Sequence, residues 1–197
     1  MLFQDKDTKD EIWQAVKHEL HRGALDAKHP FHWVNLGTVS GEFPSVRTVV
    51  LRKLTQELHF FVYTDYRSEK CSDLKQNSHA TLHLYHPKKQ VQIRVKVQTI
   101  LHFQDEMSNK LWQTIPSHRR SEYTGSQAPG TKISSPDDGW KEGDSNIHFF
   151  TVLEFVPQEL EVLQLSKNGH LRIVFNEENI LCSFYGGISI WLGTSFI

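Results

Sequence analysis

Two neighbouring segments place cations and hydroxyls where a strand meets a helix. Residues 43–52, Phe-Pro-Ser-Val-Arg-Thr-Val-Val-Leu-Arg, read as a strand that carries Arg47 and ends in Arg52. Residues 60–70, Phe-Phe-Val-Tyr-Thr-Asp-Tyr-Arg-Ser-Glu-Lys, form an apolar strand running into polar residues and then, by pattern, into the start of a helix. A helix N-terminus exposes unpaired N–H groups and the positive end of its dipole, so one flanked by Arg67 and Lys70 is a sound place for a phosphate. A phosphorylated cofactor is therefore the leading reading. Arg47 and Arg52 can grip a phosphate and a ring oxygen while backbone groups of Val49 and Val50 face a planar ligand. The same residues also describe an ordinary strand with solvated end charges, and Ser68 can be a plain helix N-cap as well as a phosphate donor.

Other chemistries are poorly served. The 12 histidines are scattered, and none forms a helical zinc motif of the H-E-x-x-H type. No structural metal is expected. His83, His86 and His170 read as surface or hydrogen-bonded residues, and Phe60, Phe61 and Tyr63 as core. No G-x-S-x-G, P-loop or G-x-G-x-x-G pattern occurs, which removes the common hydrolase, nucleotide-hydrolase and Rossmann readings. Cys71 and Cys182 are the only cysteines, far apart, which argues against a disulfide framework and for a reducing compartment. The formal charge of -1 gives no broad basic field for nucleic acid or an anionic membrane. Residues 1–7 soon turn acidic without an apolar run, and no stretch is apolar enough to span a bilayer, so a soluble cytoplasmic protein is expected.

The elements that must position these residues follow from periodicity. The 197 residues suit one domain. Thr8 and Glu11 form a capping box ahead of Ile12, Val16 and Leu20, giving an N-terminal helix within 1–26 that ends near Gly23. Short strands are expected at 33–39, 45–53, 58–63, 80–85 and 91–100, interrupted by one helix over 68–76. A second amphipathic helix, over 105–115, carries Met107, Leu111 and Ile115 on one face and stops at Pro116. Residues 117–146, rich in Ser, Gly, Pro and charge, read as a structureless flap. Strands resume at 148–155, 159–165, 171–175 and 188–192, with hairpin signals at 167–169 and 176–179. Such a series predicts a mainly β, α+β fold, an antiparallel sheet curled into a barrel with flanking helices.

Three motifs, in order and at suitable spacing, resemble the flavin mononucleotide (FMN)-binding split barrels related to pyridoxamine 5'-phosphate oxidase. Arg47-Thr48-Val49-Val50-Leu51-Arg52 matches a family strand of the form Arg-x-Val-x-Leu-Lys. Tyr63-Thr64 followed by Ser68-Glu69-Lys70 matches a Tyr-Thr pair followed by Ser-Arg-Lys, and Lys89-Gln90-Val91 matches an Arg-Gln-Val turn. The resemblance runs over about 33–97 and returns more weakly over 148–191. It implies that Arg47, Lys70 and Ser68 hold the FMN phosphate, that Val49, Val50 and Arg52 line the isoalloxazine, and that Gln90 reaches the flavin. It further implies a homodimer with FMN at the interface, where Gln127 of the flap reaches the partner's flavin.

The departures from the family pattern are as informative as the matches. Glu69 replaces an arginine on the phosphate, leaving Arg67 to take over that role. Leu111, Ile115 and Arg119 stand where family members grip a substrate phosphate with Tyr, Arg and Ser, and an apolar Ile cannot replace an arginine on a dianion. His170-Leu171-Arg172 keeps a late His-x-Arg, with His170 placed to orient a substrate, but Asn168 and Leu163 replace an expected arginine and tryptophan. The resemblance thus implies a flavoprotein oxidoreductase with a substrate other than that of the vitamin B6 oxidases. The alternatives are a true pyridoxamine or pyridoxine 5'-phosphate oxidase, a non-catalytic flavin or haem-binding barrel, and a purely structural barrel.

Overall fold

The computed structural model describes residues 1–135, 137, 147–167, 169–176 and 185–187. Helix α1 (Lys9–Leu25) begins with the expected capping box, in which Thr8 and Glu11 satisfy each other's backbone N–H groups. It continues two residues past Gly23, whose lack of a side chain serves packing instead: a Cβ there would lie 2.6 Å from that of Phe31 in the 3-10 turn Pro30–His32.

Among the described residues nine strands form one antiparallel sheet: β1 (Trp33–Ser40), β2 (Phe43–Val50), β3 (Lys53–Leu54), β4 (Phe60–Asp65), β5 (His79–His86), β6 (Val91–Phe103), β7 (Phe150–Gln164), β8 (His170–Asn176) and β9 (Tyr185–Gly187). Helices α2 (Glu69–Gln76), α3 (Glu106–Thr114) and α4 (Ser117–Arg120) flank it. The strand order is β2-β1-β5-β6-β7-β4-β3, with β8 and β9 extending from β7. Strand β7 forks the sheet. Its first half pairs with β4 and its second half with β8, while β6 runs along its other edge throughout. The sheet curls as a split barrel but does not close; among the described residues no ladder joins its edge strands β2 and β3.

Alternation along β6 fills the interior: Val91, Ile93, Val95 and Val97 are buried, with Arg94, Lys96 and Gln98 outside. These pack with Ile12, Val16 and Leu20 of α1 in the main core. A second, smaller cluster joins Phe61, Phe150 and Val152 of the sheet to Trp112 of α3 and Tyr123, with Met107, Leu111 and Ile115 against it.

Three expectations change. The strand expected over 45–53 breaks after Val50, because the Leu51 N–H bonds His32 while the Arg52 N–H bonds Phe61, carrying the chain from β1's neighbour to β4's. The strands expected at 148–155 and 159–165 are one. Proline removes a ladder donor, and here Pro157 sits at a register shift, where Lys96 faces Glu159 and Val97 faces Pro157, so the strand bends there without ending. The expected flap is partly structured: α4 and the 3-10 turn Ser121–Tyr123 occupy its first residues, held by burial of Tyr123. The strand expected at 188–192 and the hairpin signal at 176–179 lie wholly or largely outside the described residues.

Candidate functional site

The end of β4 delivers Thr64 to the N-terminus of α2, as the sequence predicts. Ser68 occupies the N-cap position in extended conformation, yet its side chain makes no capping hydrogen bond. Its Oγ instead lies 3.4 Å from Cys71 Sγ and 3.5 Å from Thr64 Oγ1. Lys70 Nζ donates to the same Thr64 Oγ1 at 3.1 Å. Burial pulls the Lys70 ammonium below the usual lysine range, and the neighbouring Arg47 charge acts in the same direction. Two hydroxyls and an ammonium thus converge beside first-turn amides that have no acceptor inside their helix. The dipole adds to their positive potential.

Arg47 reaches this cradle from β2. Its guanidinium donates to Thr38 Oγ1, to the Ser45 carbonyl at 3.2 Å and to Asp73 of α2 at 3.2 Å. Thr38 Oγ1 in turn donates to Asp73 at 2.6 Å, so a buried carboxylate fixes the direction of the arginine. Neither Thr38 nor Asp73 carries a local sequence signal, since each meets Arg47 only through the fold. Glu69 is exposed on the first turn of α2. Arg67 is engaged elsewhere. It chelates Asp65 through Nε at 3.1 Å and a terminal nitrogen at 2.7 Å, donates to the carbonyls of Gly125 and Ser126, and lies 3.5 Å over the Phe149 ring.

Beyond the cradle lies an aromatic wall of buried Phe150 and Tyr123 and half-buried Tyr63. Tyr63 meets Phe150 edge-on at 5.1 Å, as does Tyr123. Burial raises the Tyr63 and Tyr123 hydroxyls above the usual phenol range, and the Arg52 charge nearby pulls both back. Arg52 Nε and Gln127 Oε1 are buried polar atoms without a hydrogen-bond partner. Such atoms cost free energy unless something pairs with them. His148, whose Nδ1 is likewise orphaned, stacks on Trp112 at 4.2 Å, and burial holds its imidazole below the usual range. Val49 is buried in the core and Val50 is half-buried, while Thr48 is exposed and its hydroxyl bonds Asn35 at 3.1 Å.

The remaining predicted residues lie far away. Gln90, in the β5–β6 turn, is exposed and adopts a left-handed φ of 52°. His170 and Arg172 stand on β8, where His170 Nδ1 accepts the Ser166 N–H at 3.3 Å and exposed Arg172 lies 3.8 Å from Glu161. These three cluster at the Val91 end of β6, whereas Thr64 adjoins the Phe103 end through Thr151 of β7. Twelve residue steps separate Val91 from Phe103, about 40 Å of strand. One chain therefore assembles the cradle but not its Gln90, His170 and Arg172.

The forked sheet with flanking helices defines a split barrel of the pyridoxamine 5'-phosphate oxidase type. Residues 10–102 match the family model described as the FMN-binding domain of pyridoxamine 5'-phosphate oxidase. A pyridoxine/pyridoxamine 5'-phosphate oxidase from Cytophaga hutchinsonii is 32% identical over 97 residues, which are 46% of this chain and 43% of that protein. The match thus spans less than half the length of that relative. Among solved structures, a pyridoxamine 5'-phosphate oxidase-related, FMN-binding protein from Nostoc punctiforme superposes with a TM-score of 0.70 at 21% identity, covering 88% of this chain and 95% of that one. PhzG from Burkholderia lata 383 gives 0.71 at 14% identity, covering 93% and 95%. Residues 10–102 are thus similar in sequence to the FMN-binding domain of pyridoxamine 5'-phosphate oxidase, and the chain shares the fold of these split barrels. Among the described residues no helix is long and apolar enough to cross a membrane.

The residues present fit FMN. The cradle offers Lys70, Arg47, two hydroxyls and helix amides to a phosphate, and Arg52 Nε and Gln127 Oε1 are a donor and an acceptor still lacking partners.

Proposed function

We propose that the protein is a dimeric flavoprotein that binds FMN non-covalently and works as an oxidoreductase on a substrate without the phosphate of the B6 vitamers. The observation that carries this reading is the convergence of Lys70, Thr64, Ser68 and Arg47 at the start of α2, with the Ser68 hydroxyl unused as a cap. Lys70 and Arg47 neutralise the phosphate, and Thr64 and Ser68 fix its oxygens. Arg52, whose buried Nε lacks a partner, would offer a donor and positive charge to the ring, and the aromatic wall of Tyr63 and Tyr123 would exclude water from it. Bound flavin supplies hydride acceptance and onward electron transfer.

The distance of Gln90, His170 and Arg172 from the cradle supports a homodimer in which each copy lends these groups to the other. On the substrate side, Leu111 and Ile115 pack against the second cluster, and Arg120 folds back over Trp112 to donate to the Ile115 and Trp112 carbonyls. Among the described residues no phosphate grip is gathered there, which favours a substrate of different chemistry over pyridoxamine 5'-phosphate. The test is flavin content. The R47A/K70A variant, folded by circular dichroism, is expected to lose FMN that the unmodified protein retains through gel filtration; undiminished flavin in the variant contradicts the site.

A further inference from the structure

Glu19 is a buried carboxylate that no part of the proposed chemistry uses. It is 2% exposed, on the inner face of α1. Lys89 Nζ lies 2.6 Å and Arg22 3.1 Å from its Oε1, while His29 Nε2 lies 3.0 Å and His86 Nε2 3.9 Å from its Oε2. Favourable contacts with Lys89, His29 and Arg22 outweigh the cost of burial and lower its pKa to about 2.

Two histidines and a carboxylate within reach of one another suggest a metal cage, but the ring orientations oppose it. His29 Nδ1 accepts the Phe31 N–H at 3.2 Å and His86 Nδ1 accepts the Lys89 N–H at 3.3 Å. Each neutral ring therefore carries its proton on Nε2, which turns a donor towards Glu19 where a metal would need a lone pair. The cluster is a set of donors closed on one anion. Isolated burial of such an anion is costly, and a paired one is best kept where it fixes a register.

What it fixes is the β5–β6 turn. Lys89 lies in that turn and is tied to Glu19, and His86, the last residue of β5, faces the same carboxylate at 3.9 Å. From the other side Gln164, fully buried on β7, donates through Nε2 to the Lys89 and Gln90 carbonyls at 2.9 and 3.0 Å, and the Leu165 N–H bonds Gln90 at 2.8 Å. Gln90, the next residue, is thereby held in a left-handed backbone conformation that non-glycine residues rarely adopt, with its side chain exposed. Strain of this kind persists only where the surroundings enforce it, and it collects at functional positions.

We infer that Glu19, acting through Lys89 and His86, is a positioning residue that sets the β5–β6 turn so that Gln90 presents its side chain to the flavin held by a second copy of the chain. The inference rests on the proposed function. Its test is a double-mutant cycle between K89M and Q90A, with FMN affinity and the flavin visible band as readouts and melting temperature as the structural control. Lys89→Met is expected to weaken FMN roughly tenfold and to perturb the band, the loss of about one well-made hydrogen bond, with K89R restoring most of both. In the Q90A background, K89M is expected to weaken FMN no further while lowering the melting temperature as before. The same cycle with E19Q provides a second, independent pair. Equal loss of affinity with and without Gln90, or a Q90A protein indistinguishable from the unmodified one, overturns the positioning role alone. An unmodified protein that takes up no FMN overturns the proposed function, and this inference with it.

Discussion

The start of α2 and the face of α3 are both helix surfaces against the same sheet, yet they are built for opposite ends. At α2 the polar groups converge: Lys70, Thr64 and Ser68 meet one another, Asp73 steers Arg47, and the serine leaves its capping role undone. At α3 the corresponding surface is closed by packing, with Trp112 between His148 and Phe150 and with Leu111 and Ile115 turned to the same cluster. Under the proposed function, the contrast assigns the anion site of this barrel to the cofactor and not to the substrate. A polar cradle is expensive to keep without a ligand, whereas an apolar face stabilises the fold whether or not anything binds.

Breaking the α2 side has the largest expected effect. Removing both cations in R47A/K70A deletes two charge-assisted contacts and is expected to weaken FMN about a thousandfold in an equilibrium titration. The fold is retained with some loss of stability, since buried Asp73 loses its ion pair and keeps the Thr38 hydroxyl as a donor. The α3 side should respond in the opposite sense. Trp112→Ala empties the second cluster and is expected to cost about 3 kcal/mol by chemical denaturation, while FMN affinity stays within a few-fold. A Trp112→Ala protein that loses flavin as completely as R47A/K70A would erase the distinction between the two faces.

The Asp65–Arg67 pair sharpens the comparison, because it ties the cradle to the chain beyond α3. Arg67 holds the Gly125 and Ser126 carbonyls next to Gln127, whose Oε1 awaits a donor. Arg67→Ala is expected to weaken FMN roughly tenfold through that loop, and to destabilise the protein by removing the ion pair of buried Asp65, which keeps the backbone N–H of residue 67 as a donor. A loss as great as that of R47A/K70A would mean that Arg67 contacts the phosphate itself.

The smallest effect is on pH dependence. Lys70 binds an anion only while protonated, and its pKa is lowered by burial. Affinity for FMN should therefore begin to fall at a pH below that of an ordinary lysine and continue falling as pH rises. In K70R, whose guanidinium stays charged, the decline should vanish. An unchanged alkaline limb in K70R would assign the titration to another group.

The cradle was legible in the sequence because its parts are local: Thr64, Ser68 and Lys70 lie within one strand end and one helical turn, and the phosphate chemistry of that junction follows from backbone geometry. The capping box of α1 and the alternation of β6 were legible for the same reason. What was hidden depends on contacts between distant segments. Thr38 and Asp73 acquire meaning only when β1 and α2 lie beside Arg47, and Arg67, read from the sequence as a phosphate ligand, turns out to have Asp65 two residues away and the 125–126 carbonyls across the fold. The break after Val50 is decided by which neighbour receives each N–H, and the continuity of β7 by a register shift that lets a proline stay in the strand. Gln90, His170 and Arg172 were grouped with the cradle by resemblance, and the sheet places them at its other end.

The most direct measurement is a visible absorption spectrum of the purified chain after incubation with FMN and removal of the excess by gel filtration. The account predicts a retained flavin band at about one FMN per chain, eluting with a dimer. A colourless protein that takes up no FMN would contradict it, and would mean that the cradle at α2 is a property of the fold without its ligand.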